Sequence, residues 1–383
     1  MQEWKVYEFK ELVNLSKEKY NPKSETMNLP CIELEHIESE TGRLLGYTNS
    51  IEQQSIKNKF KANDILYGKL RPYLRKFYFP NFEGVCSSEI WVLQSIEEKI
   101  HNKYLYYLIQ TNKFNEHANK SSGTKMPRAD WNYISEITFP IPPIKEQQKI
   151  ASILSTWDKA IELKEKLIEQ KKEQKKGLMQ KLLTGEVRLP GYSGDWKKVK
   201  LGEILKERKE IGYIELELLA ITSSKGVVKR TEVDIKDNSS EDKSKYKRIL
   251  PNDIGYNTMR MWQGVSGVSK YEGIVSPAYT ILKPTNKVNS NFIGYLFKLP
   301  KIINLFRRYS QGLVSDTLNL KYENLKGIKV TIPQDVEEQK KIAEILLSID
   351  NEIEMLQEYV NYLKQQKKGL MQLLLTGKVR VKV

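Results

Sequence analysis

Between residues 338 and 380 apolar side chains recur at alternating intervals of three and four: Leu346, Ile349, Ile353, Leu356, Val360, Leu363, Leu370 and Leu374, broken once by Lys367. That spacing is a heptad seam and predicts one long helix built to pair with another. A stretch 192 residues earlier follows the same plan through Leu154, Trp157, Ile161, Ile168, Leu178 and Leu182, but carries Lys164, Lys171 and Lys175 on the seam. A lysine there is expected to lay its methylenes along the partner and lift its ammonium to water. Segments 146–188 and 338–380 align without a gap, and 24 of their 43 positions are identical, so the chain contains an internal repeat. Both segments close on Lys-Lys-Gly-Leu-Met-Gln and then Leu-Leu-Thr-Gly, at 175–185 and 367–377. The glycine falls where a helix ends, while Pro142, Pro143 and Pro333 stand where helices begin. The predicted helices cover 143–184 and 335–376, and a helix of ~40 residues spans about 60 Å.

The repeat extends beyond the helices. Trp4-Lys5 returns as Trp196-Lys197, again 192 residues on, so the chain is two copies of one unit. The Gly- and Pro-rich stretch 185–195 reads as the linker between them. The chain ends fall at the equivalent place of the repeat, the pattern of a cyclic two-unit arrangement cut open at one linker. Ahead of each helix lies a region in which similarity is weaker. Asn63-Asp64-Ile65-x-Tyr67 matches Asn252-Asp253-Ile254-x-Tyr256 at an offset of 189, and Leu70-Arg71 matches Met259-Arg260 at the same offset. Short strands are expected at 77–79, 85–93 and 279–282, and helices near Tyr104–Phe114 and Phe292–Phe306. The fold class expected is α+β: two mixed α/β domains, 1–142 and 196–334, each followed by a long helix, 143–184 and 335–383 with its tail.

A formal net charge of +15 suits a polyanionic partner. The only cysteines, Cys31 and Cys86, exclude a disulfide framework and a cysteine-rich zinc site. Neither a signal peptide nor an apolar run of about eighteen residues is present, which points to a cytoplasmic setting away from membranes. A DNA reader needs Arg and Lys for phosphates and guanine edges, and amides for adenine. Lys69, Arg71, Tyr73, Arg75 and Lys76 form one such cluster, and Arg260, Trp262 and Gln263 occupy the equivalent loop of the second copy. Lys125 and Arg128 in the first copy, and Arg307 and Arg308 in the second, are further candidates, though a solvated basic loop gives the same letters. Ser276-Pro277-Ala278-Tyr279 resembles an adenine-methyltransferase motif but lacks its second proline, and a strand start accounts for it better. No phosphate-binding Gly-x-x-x-x-Gly-Lys-Ser/Thr loop occurs, so no catalytic role is assigned.

Three features together resemble the specificity subunit of type I restriction-modification enzymes: the Pro142 to Gln147 start of the long helix, the repeated Lys-Lys-Gly-Leu-Met-Gln to Leu-Leu-Thr-Gly end, and the paired globular segments with Asn-Asp-Ile and the basic run 69–76. The resemblance covers essentially the full length; Pro333 lies one residue further from Glu338-Gln339 than its counterpart does. It implies two target-recognition domains, each reading half of a split double-stranded DNA site, with the two coiled-coil helices antiparallel as a spacer in a pseudo-twofold repeat. It also implies two methyltransferase subunits as partners, with or without restriction subunits. No cofactor is expected in this chain; S-adenosylmethionine belongs to the methyltransferase partner, and ATP and Mg to the restriction partner. The rival readings are a stand-alone bipartite DNA-binding regulator and a coiled-coil adaptor without an enzyme partner.

Overall fold

The computed structural model describes residues 3–120, 126–233 and 240–382. The chain divides into two units, Met1–Glu165 with Glu358–Val383, and Lys166–Gln357. Each unit contains the first half of one long helix and the last part of the other. The long helices run Ile144–Thr184 and Val336–Leu375.

In the first unit the strand Lys5–Glu8 pairs antiparallel with Thr138–Ile141, which leads straight into the long helix. A four-stranded antiparallel sheet follows the order Val13–Leu15, Ile90–Ser95, Ile65–Gly68, Phe77–Tyr78. A five-stranded sheet sits beside it, with one parallel pair between Pro30–Ile32 and Gly84–Cys86. The second unit repeats the plan. Trp196–Lys200 pairs with Lys329–Pro333, and the four-stranded sheet runs Leu205–Arg208, Tyr279–Pro284, Ile254–Asn257, Ser266–Val268. Register is kept as well: Ile65 faces Leu93, and Ile254 faces Leu282. The second sheet differs in being two ribbons, Leu219–Thr222 with Gly226–Lys229 and Lys247–Ile249 with Gly273–Val275, joined by a single parallel bridge between Leu218 and Ile274.

The helices expected at 104–114 and 292–306 are each two helices: Asn102–Leu108 with Asn112–Ala118, and Ser290–Leu296 with Pro300–Tyr309. The breaks have local causes. The Thr111 hydroxyl caps the second helix by accepting from Phe114 N–H, and Pro300 can start a helix but not continue one. The apolar run 85–93 is likewise two strands, Gly84–Cys86 and Ile90–Ser95, separated by a turn in which Ile90 N–H donates to the Ser87 carbonyl.

The repeated letters turn out to be joints. At the start of the first long helix, Glu146 is nearly sealed from solvent and accepts from Arg380 Nε and Nη2, both at 2.7 Å, and from the Trp4 indole at 3.3 Å. The Arg380 guanidinium, itself stacked 5.3 Å from the Trp4 ring, holds the Glu146 carboxyl below the usual carboxylate range. In the second unit Glu338 meets Arg188 at 2.7 and 2.9 Å and the Trp196 indole at 3.4 Å. Each arginine therefore follows one long helix and clamps the start of the other. Gln147 and Gln339, both wholly buried, work alongside. Gln147 Nε2 donates to the Lys99 and Pro142 carbonyls and its Oε1 accepts from His101 N–H; Gln339 makes the same three bonds to Lys287, Pro333 and Asn289. Gly185 and Gly377 end the helices in left-handed backbone (φ 75° and 74°), where a Cβ would press on Trp196 and Trp4 at 3.2–3.3 Å.

The helix pairing is antiparallel within each unit. In the first unit Glu165 meets Lys364, Asp158 meets Lys367 and Glu146 meets Arg380. In the second Lys171 meets Glu352, Lys175 meets Asp350 and Arg188 meets Glu338. In both lists one number rises as the other falls. The seam residues Leu154, Ile161, Ile168, Leu182, Leu346, Ile349, Ile353, Val360, Leu363 and Leu374 are buried, as the heptad requires. The seam lysines differ from expectation. Lys175 and Lys171 pair with carboxylates of the facing helix rather than rising to water, and Lys164 Nζ lies 5.5 Å from the centre of the Tyr359 ring. A half-buried ammonium is better satisfied by a facing carboxylate than by partial hydration. Lys175 and Lys367 belong to matching triads: Tyr295 and Tyr107 hydroxyls each donate at 2.6 Å to the aspartate that the lysine contacts at 2.5 Å. Burial and the adjoining carboxylate push both tyrosine hydroxyls well above their usual range.

Candidate nucleic-acid interface

Each central strand begins at an Asn-Asp-Ile turn. Asn63 and Asn252 adopt left-handed backbone (φ 69° and 71°), which asparagine tolerates better than other non-glycine residues. Asp64 and Asp253 close the turns by accepting from Lys61 and Leu250 N–H, each at 2.8 Å. This pair of residues sets the strand and leaves its far end free to present a loop.

In the first unit that loop is 69–76. A short 3₁₀ turn, Pro72–Leu74, is flanked by Arg71 and Arg75, both left-handed (φ 53° and 48°). Left-handed arginine costs about 1–2 kcal/mol per residue, so neighbours must hold it. Arg71 N–H donates to the Pro127 carbonyl at 2.8 Å, and the Arg75 carbonyl accepts from Glu40 N–H at 3.0 Å. Ala129 N–H donates to the Lys69 carbonyl, completing a bridge between this loop and segment 126–129. The structure thus brings Arg128 to a loop that lies over fifty positions earlier in the chain. The cations there are not equivalent. Arg71 and Tyr73 are exposed, and Arg71 forms no ion pair among the described residues. Arg75 reaches Asn112 Oδ1 at 3.4 Å, while Lys76 Nζ is turned inward to the Leu34 carbonyl at 2.7 Å. Arg128 is committed to Glu89, with Nε and Nη2 bonds at 3.0–3.2 Å, and holds that carboxyl below the usual range. The charge of Lys69 lowers it further. Lys125 lies outside the described residues.

In the second unit the equivalent loop holds Arg260, Trp262 and Gln263 around the 3₁₀ turn Met261–Gln263. Trp262 is anchored by its indole donating to the Met259 carbonyl at 3.0 Å, and the Arg307 guanidinium lies 5.9 Å from its ring. Arg307 and Arg308 are exposed in the last turn of Pro300–Tyr309, where cations complement the helix dipole. Leu320 N–H donates to the Thr258 carbonyl, repeating the bridge made by Ala129 and Lys69. Ser276 starts the strand Tyr279–Pro284 by accepting from Tyr279 N–H, a turn and not a catalytic motif. Sequence reading missed the Arg188 and Arg380 clamps and the Tyr–Asp–Lys triads. Their signal was present, since Arg188/Arg380, Asp158/Asp350 and Lys175/Lys367 are all identical at the 192-residue offset. Among the described residues no cluster of His, Cys, Asp and Glu is placed to hold a metal ion, and no helix is long and apolar enough to cross a membrane.

Two units of one α/β plan, each holding part of both long helices, present a loop with candidate contact residues at the same strand end. The family model for the type I restriction modification DNA specificity domain matches residues 1–172 and again 193–365, and the chain belongs to that family. It is 29% identical to the type I restriction enzyme MjaVIII specificity subunit of Methanocaldococcus jannaschii, over 78% of this chain and 75% of that protein. The EcoDI specificity subunit of Escherichia coli is 38% identical over a shorter stretch, 30% of this chain and 26% of its own. Among solved structures, a chain from work on complex assembly and conformational transition of the type I R-M system aligns over 99% of both chains with a TM-score of 0.63 at 17% identity. The HsdS subunit from Thermoanaerobacter tengcongensis aligns over 99% and 98% with a TM-score of 0.51, also at 17% identity. At such identities these likenesses speak for the fold.

Proposed function

We propose that this chain is the DNA-specificity subunit of a type I restriction-modification system, in which each unit reads one half of a split double-stranded site. The carrying observation is the pair of cationic loops, 69–76 and 259–265, placed at the same strand end of both units of a specificity-family chain. The subunit itself performs no chemistry. It directs adenine methylation by two methyltransferase subunits using S-adenosylmethionine, and cleavage by restriction subunits using ATP and Mg, in the cytoplasm. Arg71, Lys69 and Arg75 in one unit and Arg260, Arg307 and Arg308 in the other contact phosphates or guanine edges, and Tyr73, Trp262 and Gln263 supply stacking and amide contacts. Arg128, exposed and bonded to Glu89, and Lys76, bonded to the Leu34 carbonyl, hold the loop in shape.

The test is to express the full chain with its methyltransferase and map modified adenines genome-wide. A bipartite motif is expected. Exchanging 196–334 for the matching domain of a relative should change one half of that motif only. A soluble chimera that alters both halves would defeat the two-reader account.

A further inference from the structure

The segment between Pro300–Tyr309 and the strand Lys329–Pro333 contains a small, internally built loop. Gln311 and Asn319 exchange both main-chain hydrogen bonds at 2.8 Å and close it. Inside, Val314 N–H donates to Thr317 Oγ1 at 3.3 Å and Thr317 N–H donates to the Val314 carbonyl at 2.9 Å. Gly312 has φ 143°, and a Cβ there would fall 2.6 Å from the Thr317 carbonyl oxygen, so the turn is specific to glycine. This ordered scaffold holds Leu313 wholly exposed, at 101% of its reference accessibility, with Val314 beside it at 62%. A leucine placed in water by a defined turn contributes nothing to the core of its own unit.

Its surroundings narrow the occupant. Asp316, in the same loop, lies 4.0 Å from Arg260, and the loop springs from the helix end that carries Arg307 and Arg308, with Arg307 packed over Trp262. Leu313 and Val314 thus stand in a loop that also carries the exposed Asp316, paired with Arg260, and that follows Arg307 and Arg308 in the chain. An apolar point on a loop tied to Arg260 and adjoining Arg307 and Arg308 fits a duplex, whose phosphates take the arginines and whose base stack takes the point.

We propose that Leu313 is a wedge that the second unit drives between stacked base pairs of its half-site; this rests on the half-site reading above. Opening a step costs unstacking energy that depends on sequence, and flexible pyrimidine–purine steps open most easily. Leu313 thus selects a TA, CA or TG step within the half-site without any hydrogen bond to a base.

The test uses the full chain and a random-sequence duplex pool, selected and sequenced to obtain the preferred site. 2-Aminopurine is then placed at successive positions of that site. Fluorescence should rise at one pyrimidine–purine step in the second unit's half with the natural chain and with Leu313→Met. Leu313→Ser should lose the rise and bind about tenfold more weakly, with an unchanged melting midpoint and the other half of the site still selected. A wild-type rise and affinity in Leu313→Ser overturns the wedge, as does the absence of any rise with the natural chain. Loss of methyltransferase copurification with DNA binding intact also overturns it, and makes the loop a protein contact. A pool that yields no preferred sequence brings down the half-site reading itself, an outcome separate from a selected site that ignores Leu313.

Discussion

In the first unit the loop beyond the central strand carries Lys69, Arg71, Arg75 and Lys76 around a proline turn; in the second the same position carries Arg260, Trp262 and Gln263 around a glycine-ended turn. A few residues below these loops, the two units are nearly the same object. Asn63 and Asn252 take the same left-handed turn, and Glu146 and Glu338 accept from the same pair of donors. Joints are kept because each buried polar group there has one arrangement of partners, and any change leaves several unpaired. Loops on the surface have no such obligation, so they are free to differ and to set what is read.

The largest effect expected of this arrangement is on salt. A complex with ~6–10 phosphate contacts loses about 10³–10⁵ in affinity between about 50 and 200 mM salt. Arg71→Ala and Arg260→Ala should each flatten the logarithmic slope by about 0.9, read by fluorescence anisotropy. A slope that responds to one and not the other breaks the equivalence of the loops.

At the joints, Gln147→Ala leaves the Lys99 and Pro142 carbonyls and His101 N–H without their partner, and about 3 kcal/mol of stability should go. Gln339→Ala should cost a similar amount in its own unit, and hydrogen exchange followed unit by unit distinguishes the two. Unequal losses would show that the repeated glutamine has been kept for different reasons.

Lys175→Met and Lys367→Met should each lower stability by up to about 1 kcal/mol, since each removes a partly exposed ion pair from a Tyr–Asp–Lys triad but restores an apolar seam. Chemical denaturation of the two variants measures it, and a gain from either would mean that the seam outweighs the triad.

The smallest difference lies in the turn aspartates. Asp253 is paired with Arg208 at 2.7 Å, whereas Asp64 accepts from the Lys61 N–H and from Gln94 and forms no ion pair among the described residues, and burial raises its carboxyl above the ordinary aspartate value. With the folded value raised, Asp64 adds stability in full below the unfolded value of about 3.9, and that contribution is lost as pH rises through the folded value. Asp64→Asn should therefore remove a contribution that falls as pH rises, and so steepen the acid side of the first unit's stability curve, where lowered carboxyls such as Glu146 and Glu89 gain stability with pH. Asn at this site leaving the curve unchanged between about pH 3 and 6 would assign the acid slope to other groups.

The residues by themselves determined the repeat, the two long helices, the mixed α/β domains and the family, because periodicity and identity at a fixed offset are properties of one dimension. Heptad spacing needs no tertiary knowledge to place Leu346 through Leu374 on one stripe. The same reading marked the basic loops but could not rank their cations. Only the folded chain decided that the exposed Arg128 pairs with Glu89 and that Lys76 turns to the Leu34 carbonyl, while Arg71 forms no ion pair among the described residues. It also decided what the repeated letters are for. Arg380 reaches Glu146 from 234 positions away, and Lys175 reaches Asp350 from 175. Such pairings depend on which helix end meets which domain, and the cost of leaving a buried charge alone selects them once the backbone has closed.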